Sequence, residues 1–185
     1  MSRRFFLILE AFMAKLFIQD MPSREEVHTS LTTLPVSAEP DSMAVYSNLL
    51  FLKVASEIEN SLDSLLSKYN LSSGRFMLLF MLRNAPAGLR PSELANQVGV
   101  TQATISGLIN SLEKAELVVR EGHQSDGRSF VIRLAPKGEQ AIQDIFPQWY
   151  PRIVNFWNVV SNEEKDSLNG LMEKMIQNKS ALTPR

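Results

Sequence analysis

From Pro91 to Glu113 the chain reads PSELANQVGVTQATISGLINSLE, and this stretch leaves little choice of local structure. Pro91 suits the first turn of a helix, where a missing N–H costs nothing. Glu93 follows near the positive end of that helix's dipole. Leu94 and Val98 are spaced to face inward, and Ala95 is small where a second helix must cross. Gly99 is the residue type that takes a positive φ readily, and Thr101 suits an N-cap. Ile105, Leu108, Ile109 and Leu112 then repeat at i, i+3, i+4 and i+7, one apolar stripe. The expectation is a short helix, a turn and a longer helix. Ala103, Gly107, Asn110 and Lys114 lie opposite the stripe, flanked by Gln102, Thr104 and Ser106. That outward face is small and nearly uncharged, and a DNA major groove admits such a helix.

The flanking segments follow from their own periods. Residues 20–41 hold Pro22, Pro35 and Pro40 among serines, threonines and acids with no regular spacing, which predicts a flexible linker. From Ser42, Tyr46, Leu50, Val54, Ile58, Leu62 and Leu65 fall about four apart, widened by Leu49 and Leu66, and predict a long helix ending near Asn70. Ser72 suits the N-cap of a second helix, Ser73–Arg83, whose FMLLFML segment is apolar almost all round. Asn84 to Gly88 reads as a turn. After Leu117 the period changes to two: residues 117–120 and 130–134 predict strands. The polar loop EGHQSDGRS between them carries Arg128, able to reach a phosphate or a narrow minor groove, and Asp126, able to hold Arg128 by a charge-assisted hydrogen bond.

The totals bound the function. The chain has 185 residues, with 20 acidic and 19 Lys or Arg side chains. From Leu89 to Lys137 there are six basic residues against five acidic, so the charge asymmetry expected of a nucleic-acid binder is weak. There is no cysteine and there are two histidines, which argues against disulfides, thiol chemistry and a histidine metal site. No phosphate loop, nucleophile–base pair or metal spacing is evident, so neither an enzyme nor a cofactor is expected. The apolar run FFLILEAFMAKLFI near the N-terminus is interrupted by Glu10 and Lys15 and is too short to span a bilayer. A cytoplasmic protein without a membrane partner is expected.

Leu89 through Gly138 resembles the winged helix-turn-helix of the MarR family of bacterial transcription regulators. The resemblance rests on PSELANQVGVTQATISGLINSLEKAELV, on Asp126-Gly127-Arg128 and on LAPKG from Leu134 to Gly138. It implies a mainly α fold, an α+β winged helix-turn-helix with long N- and C-terminal dimerisation helices. Residues 1–41 would be a flexible N-terminal extension, 42–70 and 136–180 the helical dimerisation region, and 71–135 the DNA-binding domain. It also implies a homodimer, a palindromic double-stranded DNA site and, often, release by a small aromatic or phenolic effector. On this footing Arg90, Thr101, Thr104 and Arg128 would fix register on phosphates and grooves. Gln102, Ser106 and Asn110 would read bases, with the Ala103 methyl able to touch a thymine methyl.

Three positions depart from the family pattern. Arg90 stands where threonine is common, Gly107 where arginine often follows the serine of the recognition helix, and Glu116 where glycine usually precedes the wing. Gly107 removes a contact from the base-reading face, and Glu116 must accommodate a bend. Gly107, Glu116 and the near-neutral charge support an alternative, a winged-helix protein-interaction module without sequence-specific DNA binding.

Beyond the wing, Pro136 restarts helix, and Pro147 and Pro151 are expected to kink or divide it. Phe146, Trp149, Phe156 and Trp157 are aromatics of the kind that fill cores or interfaces. Ser161 and Glu164 form a capping-box pattern before an apolar stripe that includes Leu168, Leu171 and Met175. That stripe needs a partner, and the resemblance supplies one: the same region of a second chain.

Overall fold

The computed structural model describes residues 20–35, 39–123 and 126–183; the side chains of residues 123 and 126–129 lie outside that description. The chain divides into two compact units, Met1–Met77 and Leu78–Arg185.

In the first unit, α1 (Arg24–Thr32) occupies nine residues within the predicted linker of residues 20–41. The sequence Ser23-Arg24-Glu25-Glu26 is a capping box. The Glu26 N–H donates to Ser23 Oγ (3.1 Å), and the Ser23 N–H donates to Glu26 Oε2 (2.8 Å). The prolines masked this signal, because they set a loop-like composition on both sides of a nine-residue helix. Val27 is buried at 2% exposure, and the Arg24 guanidinium lies 5.3 Å over the Tyr46 ring of the next helix. The extension is therefore anchored across residues 24–32, while expectations for residues 1–19 and 36–38 fall outside the described residues.

Helix α2 (Ser42–Leu66) starts on Asp41, whose Oδ1 accepts from the Ala44 N–H at 2.9 Å. It passes into a 3-10 turn, Ser67–Tyr69, that ends on left-handed Asn70. Its predicted stripe is only partly covered. Leu49, Leu65 and Leu66 are buried, whereas Leu50 and Val54 are exposed beside Phe51 and Leu52. Periodicity assigns a face, but burial also requires something to lie against it. Helix α3 (Ser73–Arg83) spans the border of the two units. Phe76, Leu78, Leu79 and Leu82 are buried as expected, but Met77 is exposed. Arg75 bonds to the Asn70 carbonyl and to Ser72 Oγ.

The second unit carries α4 (Pro91–Val98), α5 (Gln102–Lys114), β1 (Val118–His123), β2 (Asp126–Leu134), α6 (Pro136–Trp157) and α7 (Asn162–Gln177). The strands are antiparallel, with Val118 opposite Leu134 and Gly122 opposite Phe130. They extend further than predicted and absorb most of the expected loop, because backbone pairing continues through polar residues that carry no apolar alternation. Leu89 adds a bridge to Ile132 (3.0 and 2.8 Å). The buried residues of this unit include Leu94, Ile105, Ile109, Leu112, Val118, Ile132, Ile142 and Ile145. Gly138 lies so close to Leu117 that an added Cβ would stand 2.2 Å from the Leu117 carbonyl oxygen.

Helix α6 is not divided. It runs 22 residues through Pro147 and Pro151. Each proline forfeits one helical donor, and both are exposed, so water can satisfy the carbonyls they leave. Helix α7 opens with the predicted capping box of Ser161 and Glu164. The Glu163 carboxyl is held below its ordinary pKa, first by its own backbone N–H and then by the Ser161 hydroxyl. Among the described residues, no helix is long and apolar enough to cross a membrane.

Candidate nucleic-acid interface

Helix α5 is fixed from its buried side. Ile105, Ile109 and Leu112 are fully enclosed. Val98, predicted to face inward, is exposed instead: it is the last residue of α4, and the left-handed turn at Gly99 (φ 73°) follows it directly. Thr101 caps α5 as predicted, its Oγ1 accepting from the Thr104 N–H at 3.2 Å. The two threonine hydroxyls stand 2.9 Å apart. At the start of α4 the Glu93 carboxylate accepts from the Arg90 N–H at 2.7 Å. An arginine side chain has donors only, so it cannot supply the other half of a capping box.

The outward face carries Gln102, Ala103, Thr104, Ser106, Gly107, Asn110 and Lys114, all exposed. Seven of the eight residues proposed to contact DNA therefore lie on one unit with solvent before them: six on or capping α5, and Arg90 at the start of α4. The eighth, Arg128, and its support Asp126 have backbone in β2, but their side chains are outside the described residues. A Cβ at Gly107 would meet nothing within 4 Å. Gly107→Ala should accordingly raise stability by roughly 1 kcal/mol through helix propensity alone. Chemical denaturation measures this, and a loss of stability would mean that the position is enclosed.

Sequence reasoning missed Arg120. Its Nε donates to Glu113 Oε2 at 2.8 Å, and its NH2 donates to Asn110 Oδ1. Its guanidinium lies 5.1 Å over the Phe130 ring. The signal in the sequence was slight: with period two, Arg120 shares a strand face with Val118, and a carboxylate on the preceding helix is one partner it can reach. Glu113 provides it. Glu116 was anticipated better. It takes φ 61°, the left-handed bend expected of glycine, and Lys137 Nζ lies 3.0 Å from its Oε2.

The expected dimerisation residues spread over two helices. Phe146 stacks between Phe80 and Tyr150 (5.9 and 5.8 Å). Phe156 meets Trp157 edge-on at 5.7 Å. Trp149 and Leu168 are half-buried, and Phe156, Leu171 and Met175 are exposed.

This architecture has known counterparts. A family model described as the MarR family matches residues 71–130. The HTH-type transcriptional repressor YetL of Bacillus subtilis is 30% identical over 119 residues, covering 64% of this chain and 71% of YetL. The chain belongs to the MarR family. Its relatives are transcription regulators rather than enzymes; the regulator PecS of Dickeya dadantii is 29% identical over 125 residues, 66% of this chain and 75% of PecS. Among solved structures, AbsC of Streptomyces coelicolor superposes with a TM-score of 0.68 at 19% identity, covering 79% of this chain and 99% of AbsC. The Staphylococcus aureus MepR–DNA complex superposes at 0.64 and 21% identity, covering 70% of this chain and 93% of MepR. These two similarities carry the MarR-family fold.

Proposed function

We propose that this MarR-family regulator is a cytoplasmic homodimer and a repressor. It binds an inverted-repeat site in double-stranded DNA through α5 and the β1–β2 hairpin, and a small aromatic or phenolic ligand releases it. The observation that carries the DNA-binding part is the outward face of α5. It is a row of hydroxyl, amide and methyl groups with solvent before it, on a helix whose other face is locked into the core. Such groups can address base edges, while Arg90, Thr101 and Thr104 address phosphates. Arg128 is assigned the groove beside the hairpin on sequence grounds. The names of its relatives support the repressor role, and MepR, of the same fold, is known in complex with DNA. Two copies on one duplex would meet half-sites about one helical turn apart.

A second reading, an interaction module, is favoured by one observation. Among the described residues, four cations around the hairpin are matched by carboxylates: Arg120 with Glu113, Arg133 with Glu121, Lys137 with Glu116 and Arg83 with Glu139. Phosphates must compete for them. Fluorescence anisotropy on fragments selected from a genomic pool separates the two readings. The regulator should enrich a near-palindrome and lose affinity with salt, at a log–log slope of about −0.9 for each phosphate neutralised. No enriched site, and no binding even at low salt, would leave the interaction module.

A further inference from the structure

We infer that Arg120 sets base preference by fixing the orientation of the Asn110 amide; this rests on the DNA-binding reading of α5. Arg120 is on β1, Asn110 and Glu113 are on α5, and Phe130 is on β2. The guanidinium is pinned on three sides: Glu113 Oε2 accepts from Nε, Asn110 Oδ1 accepts from NH2, and the Phe130 ring lies beneath it. Opposite Phe130 stands Gly122, which presents no side chain above the ring.

The consequence for Asn110 is chemical. An arginine offers donors and no acceptor, so the amide atom facing Arg120 must be oxygen. The amide cannot flip without setting its own N–H groups against the guanidinium. Asn110 is exposed on the outward face of α5, and among the described residues its amide nitrogen donates to nothing. It therefore faces a duplex as a donor.

An unrestrained asparagine reads adenine by accepting from N6 and donating to N7 together. Here the accepting side is turned toward Arg120, and the bidentate alignment is lost. A donor alone addresses acceptors on the major-groove edge: guanine presents O6 and N7 and thymine O4, whereas adenine presents only N7, beside its N6 donor. At the symmetric pair of positions under Asn110 the regulator is expected to prefer guanine or thymine over adenine. Arg120 is thus a positioning residue: it selects a base through another side chain.

Selection from a randomised duplex pool, followed by affinity measurements on single-base variants, tests this with the full-length chain. Arg120→Ala should raise adenine relative to guanine by about tenfold at that pair of positions. Asn110→Ala should erase the preference there and nowhere else. Glu113→Ala removes the ion pair but keeps the bond to Asn110, and should retain the wild-type preference. That variant separates orientation from simple support of the hairpin, and thermal melting checks that each variant is folded. Should Arg120→Ala not fold, Arg120→Met, which keeps the aliphatic bulk and has no donor, replaces it. Unchanged base preference in the folded Arg120 variant, with salt-dependent binding intact, overturns the inference. Absence of binding by the wild-type chain at every salt overturns the DNA-binding reading itself.

Discussion

Gly138→Ala should cost about 3 kcal/mol, near the upper end of overpacking penalties, and lower the melting temperature by roughly 6 to 12 °C. The added Cβ would lie 2.2 Å from the Leu117 carbonyl oxygen and 2.7 Å from Leu134 Cδ1. The leucine methyl can turn aside, but the carbonyl cannot. It accepts from the Ala135 N–H at 3.0 Å, which fixes the entry to α6, and the Leu117 N–H is itself tied to the Leu112 carbonyl at 2.9 Å. Moving that peptide would disturb the end of α5, the start of β1 and the first turn of α6 together. Gly170→Ala is the matched control, since a Cβ there meets nothing within 4 Å. Differential scanning calorimetry of both variants decides the point: a Gly138→Ala chain melting within two degrees or so of wild type would rule out the close approach.

The second large effect concerns assembly. Leu171 and Met175 are each 56% exposed, Ile176 is 66% exposed, and no residue of α7 is buried. Leu171 and Met175 are one helical turn apart and share a face. If that face meets its equivalent in a second chain, the two-fold axis makes each substitution count twice. Full burial of a leucine or methionine is worth about 1.5–3 kcal/mol, so Leu171→Asp with Met175→Asp should weaken the dimer by about 6 kcal/mol or more. That corresponds to more than about ten-thousandfold in the dimer dissociation constant, and binding to a two-half-site duplex should fall with it. Sedimentation equilibrium reads the mass and circular dichroism the helicity. A double variant that remains dimeric would remove this face of α7 from the interface.

The candidate site was legible to different depths. Cap, turn and stripe of the helix-turn-helix could be read because each depends on neighbours within one or two turns: Thr101 on Thr104, Gly99 on its own φ, Ile105 on Ile109. The outward face followed by subtraction. The prolines of α6 pointed to a kink or a division; the helix is not divided, since exposed positions tolerate missing donors. The helix at Arg24–Thr32 was hidden by its flanking composition, although its capping box was present in the sequence.

By itself the sequence determined the order of elements from α2 onward and the buried stripe of α5, because these are consequences of local sterics and periodicity; the bend at Glu116 was legible only through the resemblance to the family pattern. Only the tertiary structure decided that Arg120 reaches from the wing to Asn110 and Glu113, and that Gly138 lies against Leu117. Both are contacts between separate elements. Their existence depends on how β1 and α6 pack around α5, and no spacing along the chain encodes that distance.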